Sequence, residues 1–204
     1  MKTKELVTLA ILTAMASIIM FIQIPNPIAP FLKLELSNVV VLVAFAIYGF
    51  KGALTVGVLK SFINVLIKGP DTYSAIPYLG TMIAIFASIT IVVALWLARD
   101  KFKLNNLMSS IFVVAAFTII LTAANYFVLT PAYFGWPTVS LAEVKGMFTG
   151  FLNWDTGGSF DASNGYFMAV LFAYVPFNVI IGSAVMTVYL VIEKTVGTRL
   201  KELS

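Results

Sequence analysis

Between Leu6 and Ile192 the chain is a succession of apolar runs, several as long as the roughly 20 residues an α-helix needs to cross a bilayer. Six segments stand out as candidate spans, about 6–24, 36–50, 52–67, 77–98, 107–130 and 172–192. Backbone inside hydrocarbon must satisfy its own polar groups, so such runs dictate helices. Composition agrees: of 204 residues 60% are hydrophobic and 11% charged, against about 45–50% and about 25% in soluble domains. The expected fold is an all-α integral membrane protein of six transmembrane helices, a single domain over 1–204. The second and third runs are short, and Lys51 alone separates Phe50 from Gly52. They read as a tight helical hairpin whose glycines let the chain reverse, with a single kinked helix as the alternative.

Charge sets the topology, because short cytoplasmic loops collect Lys and Arg. With six alternating spans, nine basic residues share the side of both termini: Lys2, Lys4, Lys51, Arg99, Lys101, Lys103, Lys194, Arg199 and Lys201. The opposite side has three, Lys33, Lys68 and Lys145, beside Glu35, Asp71, Glu143, Asp155 and Asp161. This asymmetry predicts cytoplasmic termini. The start, MKTKELVTLAILTAMAS, also has the parts of a secretory signal, but the apolar run continues through Ile22, as suits an uncleaved first helix. The formal charge of +4 is scattered singly between apolar stretches, which speaks for topology and against nucleic acid.

The chain has no cysteine and no histidine, which removes disulfides, thiolate and imidazole metal sites, and any nucleophile paired with His. No acid lies within the proposed spans, and no Gly-x4-Gly-Lys-[Ser/Thr] phosphate loop occurs. The expectation is a protein that is not an enzyme and holds no metal or cofactor.

One connection is long. The segment 131–166, predicted to be extracellular, contains Trp136, Trp154 and the glycine-rich run 157–165. Within it Leu141, Val144, Phe148, Phe151 and Leu152 recur at helical spacing, which predicts an amphipathic helix. That helix either lies on the membrane surface or closes over a pocket.

Polar groups at membrane depth are costly and face a partner, a cavity or a substrate. Lys60 sits midway along its span with Asn64 at i+4, so both lie on one helical face. Asn125 lies on the order of 8 Å below the predicted outer end of its helix, at 1.5 Å per residue, and Asn178 is similarly placed on the last one. These four side chains suit an outward-opening cavity or, equally, hydrogen bonds between helices. On the first helix Ala10 and Ala14 are spaced for close approach of another helix, either within this chain or from a partner.

Three strings, PFLKLELSNVVVLVAFAIYGFKGALTVGVLKSFINVL, LTAANYFVLTPAY and YVPFNVIIG, resemble segments of the substrate-binding S components of energy-coupling factor (ECF) vitamin importers, most closely the riboflavin-specific group. The Asn-Tyr-x4-Pro-x-Tyr and Pro-Phe-Asn strings carry most of that resemblance. It implies a six-helix subunit of a prokaryotic plasma membrane that captures a vitamin, held as transported substrate, and docks on a shared membrane subunit driven by two ATPases. It implies contact of Ala10 and Ala14 with that shared subunit, and vitamin contacts at Asn125, Asn178 and Lys60. Two positions depart from the pattern: many relatives have Asp where this chain has Asn38, and Lys where it has Ile181. A flavin would place its ring against Tyr78, Tyr126, Phe127 and Trp136, and its polyol near Asn38, Asn125 and Asn178. Pantothenate, being anionic, would lean more on Lys60, and folate is a further alternative. Outside this family, a stand-alone facilitator for small solutes is the competing reading.

Overall fold

In the computed structural model residues 3–25, 33–69, 76–156, 160 and 165–201 are described. Lys2, Asp71, Asp161 and most of the run 157–164 lie outside them, as do the side chains of Lys33, Trp154, Asp155, Arg199 and Lys201. The elements in order are α1 (Thr3–Phe21), β1 (Ile24–Pro25), β2 (Lys33–Leu34), α2 (Asn38–Lys68), α3 (Leu79–Trp96), α4 (Asn106–Ala124), α5 (Thr130–Tyr133), α6 (Leu141–Thr156) and α7 (Gly165–Lys201). A wider π turn extends α3 over Leu97–Lys101, and a second joins α4 to α5 over Asn125–Leu129. The fold is thus mostly helical, and among the described residues five stretches are long and apolar enough to cross a membrane. Among the described residues the one departure from an all-α chain is the two-residue antiparallel ribbon, in which Ile24 faces Leu34 and Pro25 faces Lys33. The last helix starts at Gly165 and not near 172, taking in Gly165 and Tyr166 from the expected loop.

The α2 segment reverses on itself at Gly49, whose φ of 65° and ψ of −159° break the helix in a region open to glycine. Two contacts show the reversal. A Cβ placed on Gly57 would lie 3.6 Å from Val41 Cγ1, and Lys60 Nζ reaches Asn38 Oδ1 at 2.8 Å. Residues 38 and 60 would be roughly 33 Å apart along a straight helix at 1.5 Å per residue. The limb 38–48 is only about 16 Å long by the same rise, half of the roughly 30 Å hydrocarbon layer. Asn38 at its start is therefore held level with the middle of the longer limb, beside Lys60.

The surface is apolar and the interior is not purely so. Leu66, Phe127, Ile119, Ile18 and Ile22 are each at least 66% exposed, whereas Lys60, Ser61, Ser109, Asn38, Asn64, Asn125 and Asn178 are buried. In water such a surface would aggregate; in lipid it is the expected solvation, with polar groups kept inside the bundle. The interior aliphatic core runs from Leu9, Leu12 and Ala16 of α1 through Val41, Leu42 and Val56 of α2 to Ile91, Val113, Val185 and Met186. Close helix approach comes from small residues: a Cβ on Gly57 would meet Ser88 Cβ at 3.1 Å, so its absence brings α3 against α2.

At one end of the bundle Arg99 donates to both carboxylate oxygens of Glu193, one of them at 2.8 Å, to Tyr189 Oη at 3.0 Å and to Asn106 Oδ1 at 3.2 Å. This ties the ends of α3 and α7 to the start of α4. At the opposite end α6 begins with reciprocal caps. The Ser140 N–H and hydroxyl donate to Glu143 Oε2 at 3.0 and 2.7 Å, and the Glu143 N–H returns to Ser140 Oγ at 3.3 Å. The Ser140 hydroxyl, with the backbone N–H behind it, holds the Glu143 carboxyl below the usual carboxylate range. Phe148 and Leu152 of α6 are fully buried against Tyr166, Ala169, Val170 and Tyr174 of α7, and Val144 is buried as well. The apolar stripe of this helix is therefore taken up by protein.

Candidate functional site

The reversal at Gly49 builds the most polar interior group of the molecule. Lys60 is wholly buried, and its ammonium donates to Asn38 Oδ1 at 2.8 Å, to Glu35 Oε1 at 3.3 Å and, more closely, to Ser37 Oγ. An ammonium has three donors, and all three are used. Ser37 in turn donates to Glu35 Oε1, and Ser88 Oγ of α3 lies 2.7 Å from Asn38 Oδ1. One buried cation is thus balanced by one carboxylate, whose side chain is 17% exposed. Burial of a paired, hydrogen-bonded charge is tolerable where burial of a lone one is not.

Asn64, one turn beyond Lys60 on the same face, is 6% exposed, and its Nδ2 is buried with no hydrogen-bond partner. An unmet buried donor costs about 1–3 kcal/mol, a penalty that a ligand acceptor would relieve.

The second group lies between α4 and α7. Asn178 Nδ2 donates to Thr122 Oγ1 at 3.2 Å, and Asn125, one turn on from Thr122, donates through Nδ2 to Leu121 O at 2.7 Å. Among the described residues no hydrogen bond links these two amides to the Lys60 group, so the four polar residues expected at one depth form two neighbouring sets.

Asn125 also opens the π turn, and Pro131 explains it. The Thr130 N–H bonds to Asn125 O, one residue further back than in an α-helix. The next N–H would serve Tyr126 O, but residue 131 is proline and has none. Tyr166 fills the vacancy, its hydroxyl donating to Tyr126 O at 3.1 Å. Thr130 Oγ1 and Tyr174 Oη, 2.6 Å apart, add a second link to α7. π turns of this kind are frequent at functional sites.

Of the aromatic candidates, Tyr126 and Phe127 share a groove with Thr122, whose hydroxyl accepts from Asn178. The Tyr126 ring packs on Tyr166 and Phe167, at centroid distances of 5.2 and 5.8 Å, and lines a mostly apolar groove of about 430 Å³ between α4 and α7. Phe127, 71% exposed, lines the same groove. Tyr78 precedes α3 in a left-handed conformation, φ 65°, and Trp136 is 43% exposed. Ile181, at the second departing position, is buried in the aliphatic core. On α1, Ala10 and Ala14 are exposed together with Leu6, Val7, Ile11 and Met15, while Leu9, Leu12, Thr13, Ala16 and Ser17 pack inward. Ala10 and Ala14 do not serve internal packing.

Glu35, Ser37, Ser88 and Thr122 were not singled out from the sequence. The signal for the first two was present in the string Glu35-Leu-Ser-Asn38, which clusters polar side chains at the mouth of an apolar run. Ser88 and Thr122 are single hydroxyls in apolar helices and carry no such signal, since either can bond its own backbone.

The family profile described as "ECF transporter, substrate-specific component" matches residues 4–193. The chain is similar to the riboflavin transporter RibU of Streptococcus thermophilus, 26% identical over 72% of this chain and 69% of that protein. It is similar to the riboflavin transporter FmnP of Bacillus subtilis, 28% identical over 65% of this chain and 70% of that protein. RibU of Staphylococcus aureus is 24% identical over 99% of this chain and 95% of its own length. A solved S component of a bacterial ECF transporter superposes with a TM-score of 0.69 at 23% identity, covering 98% of this chain and 99% of that one, a likeness of fold.

Proposed function

The chain belongs to the substrate-specific components of ECF transporters, a multi-pass membrane protein of a transport system, and from that membership we propose that it is the riboflavin-capturing subunit of an ATP-driven importer. The observation that carries the substrate is that all three of the curated relatives described above are riboflavin transporters, one of them aligned over 99% of this chain. In this reading Asn38, Lys60 and Asn64 of α2, Asn125 at the π turn and Asn178 of α7 line the vitamin site, with Tyr78 and Tyr126 at its rim.

Topology follows the same reading. The end holding Arg99, Lys101, Lys51 and Lys194 is cytoplasmic, the spans number six because the two limbs of α2 count separately, and the α6 connection is extracellular. The shared membrane subunit docks on the uncovered face of α1, where Ala10 and Ala14 let a partner helix approach closely; two ATPase subunits supply the energy.

The test is the absorbance spectrum of the purified full chain, followed by riboflavin titration. A visible flavin band, or tight quenching of added riboflavin, is expected. Reconstituted uptake should need both ATP and the partner subunits. Titration by pantothenate or folate but not by riboflavin overturns the choice of vitamin; uptake by this chain alone overturns the importer role in favour of a facilitator.

A further inference from the structure

The buried Lys60 has a consequence for what the site accepts. Had its ammonium been open toward a ligand, an anionic vitamin would have found a counter-charge there. Instead its three donors go to Asn38, Glu35 and Ser37, and the Glu35 carboxylate brings the group to zero net charge. The charged pair is closed on itself, and the donor left without a partner one turn away belongs to a neutral amide, Asn64 Nδ2.

We propose that Glu35 is a specificity-determining residue: by occupying Lys60 it keeps the vitamin site electrically neutral, so that uncharged riboflavin is accepted through acceptors facing Asn64 and its 5′-phosphate is disfavoured. The proposal rests on the riboflavin reading above. Its physics is that an anion entering a low-dielectric site needs an uncommitted cation, and here the cation is committed. Glu35 is suited to this role by position as well as charge. It lies directly before α2, anchored to Ser37, and reaches inward to a lysine 25 residues later in the chain.

The test is a charge ladder at constant shape, read by quenching of flavin fluorescence in the full chain with riboflavin and riboflavin 5′-phosphate. Glu35→Gln keeps the oxygen that accepts from Ser37 and Lys60 but gives the group a charge of +1. Lys60→Met gives −1, and the double variant restores zero. The ratio of the two dissociation constants should follow the charge. E35Q should narrow the preference for riboflavin by on the order of tenfold, K60M should widen it, and the double variant should return it to the wild-type value. Both affinities moving together in E35Q, with the ratio unchanged, would mean that Glu35 only supports the fold, and overturns the proposal. If K60M fails to fold, E35Q alone still decides. Absence of any flavin binding by the wild-type chain overturns the riboflavin reading and this proposal with it, and is distinct from binding with an unchanged ratio.

Discussion

Two interior regions meet the same problem, polar atoms inside an apolar bundle, in opposite ways. Around Lys60 the polar groups come from the start of α2, its second limb and α3, and they satisfy one another except for Asn64. Between α4, α6 and α7 the unmet group is a backbone carbonyl at Tyr126, and rings do the rest: Phe148 packs on Phe134, Tyr166 and Tyr174 at centroid distances of 5.7, 5.7 and 6.1 Å. The first region leaves an amide donor open, Asn64 Nδ2; in the second, among the described residues, the buried group without a partner is a single hydroxyl, that of Thr118 on α4. In the proposed reading the open amide of Asn64 faces the ligand, while the ring cluster around Phe148 holds helices together.

The comparison can be broken most forcefully at Phe148. Replacing this fully buried ring by alanine should cost about 3–5 kcal/mol, read as a lowered thermal unfolding midpoint, while riboflavin affinity in the folded fraction changes less than about threefold, a shift well under 1.4 kcal/mol. Loss of affinity with an unchanged midpoint would place the aromatic region in the site. Asn64→Leu sharpens the contrast from the other side. Riboflavin should bind on the order of tenfold or more weakly, because a hydrogen bond is lost, yet the unliganded protein should be no less stable, since an unsatisfied buried donor has been removed. A destabilised variant with intact binding would argue that the amide is structural.

Tyr166→Phe deletes only the hydroxyl that serves Tyr126 O. A cost of about 1–2 kcal/mol is expected, with faster hydrogen exchange localised to 126–133. The smallest effect concerns the α6 cap. The folded Glu143 carboxyl titrates below its unfolded value, so its contribution is complete above the unfolded value and is lost as pH falls through the folded one. Protection of the first-turn amides of α6, corrected for intrinsic exchange, should decline in that acidic window, and Glu143→Gln should remove the pH dependence.

Much of this contrast was legible in the sequence, and the limits have physical reasons. Helix positions followed from apolar length, and the pairing of Lys60 with Asn64 from the 3.6-residue repeat. The reversal between the second and third runs was expected from their shortness; that it turns at Gly49 required the backbone. The partner of Lys60 was hidden because Glu35 counted as a loop charge, and no periodicity connects a loop to the middle of a later helix. The resemblance implied a carboxylate at position 38, where this chain has Asn; the carboxylate found against Lys60 is Glu35, three residues earlier. Tyr126 and Asn125 are adjacent, but neighbours in a helix diverge by about 100°, and that the Tyr126 ring lines a groove with Phe127 and Phe167 was not legible from the string alone.

The hydroxyl of Tyr166 has a mechanical meaning as well. Pro131 exports its unmet requirement to a helix that begins 34 residues later, and Thr130 with Tyr174, about two turns further along that helix, adds a second connection. The bend at 125–133 therefore cannot open without releasing the first turns of α7, nor can α7 tilt alone. These two ends form a single strut, in which release of one helix end also releases its partner.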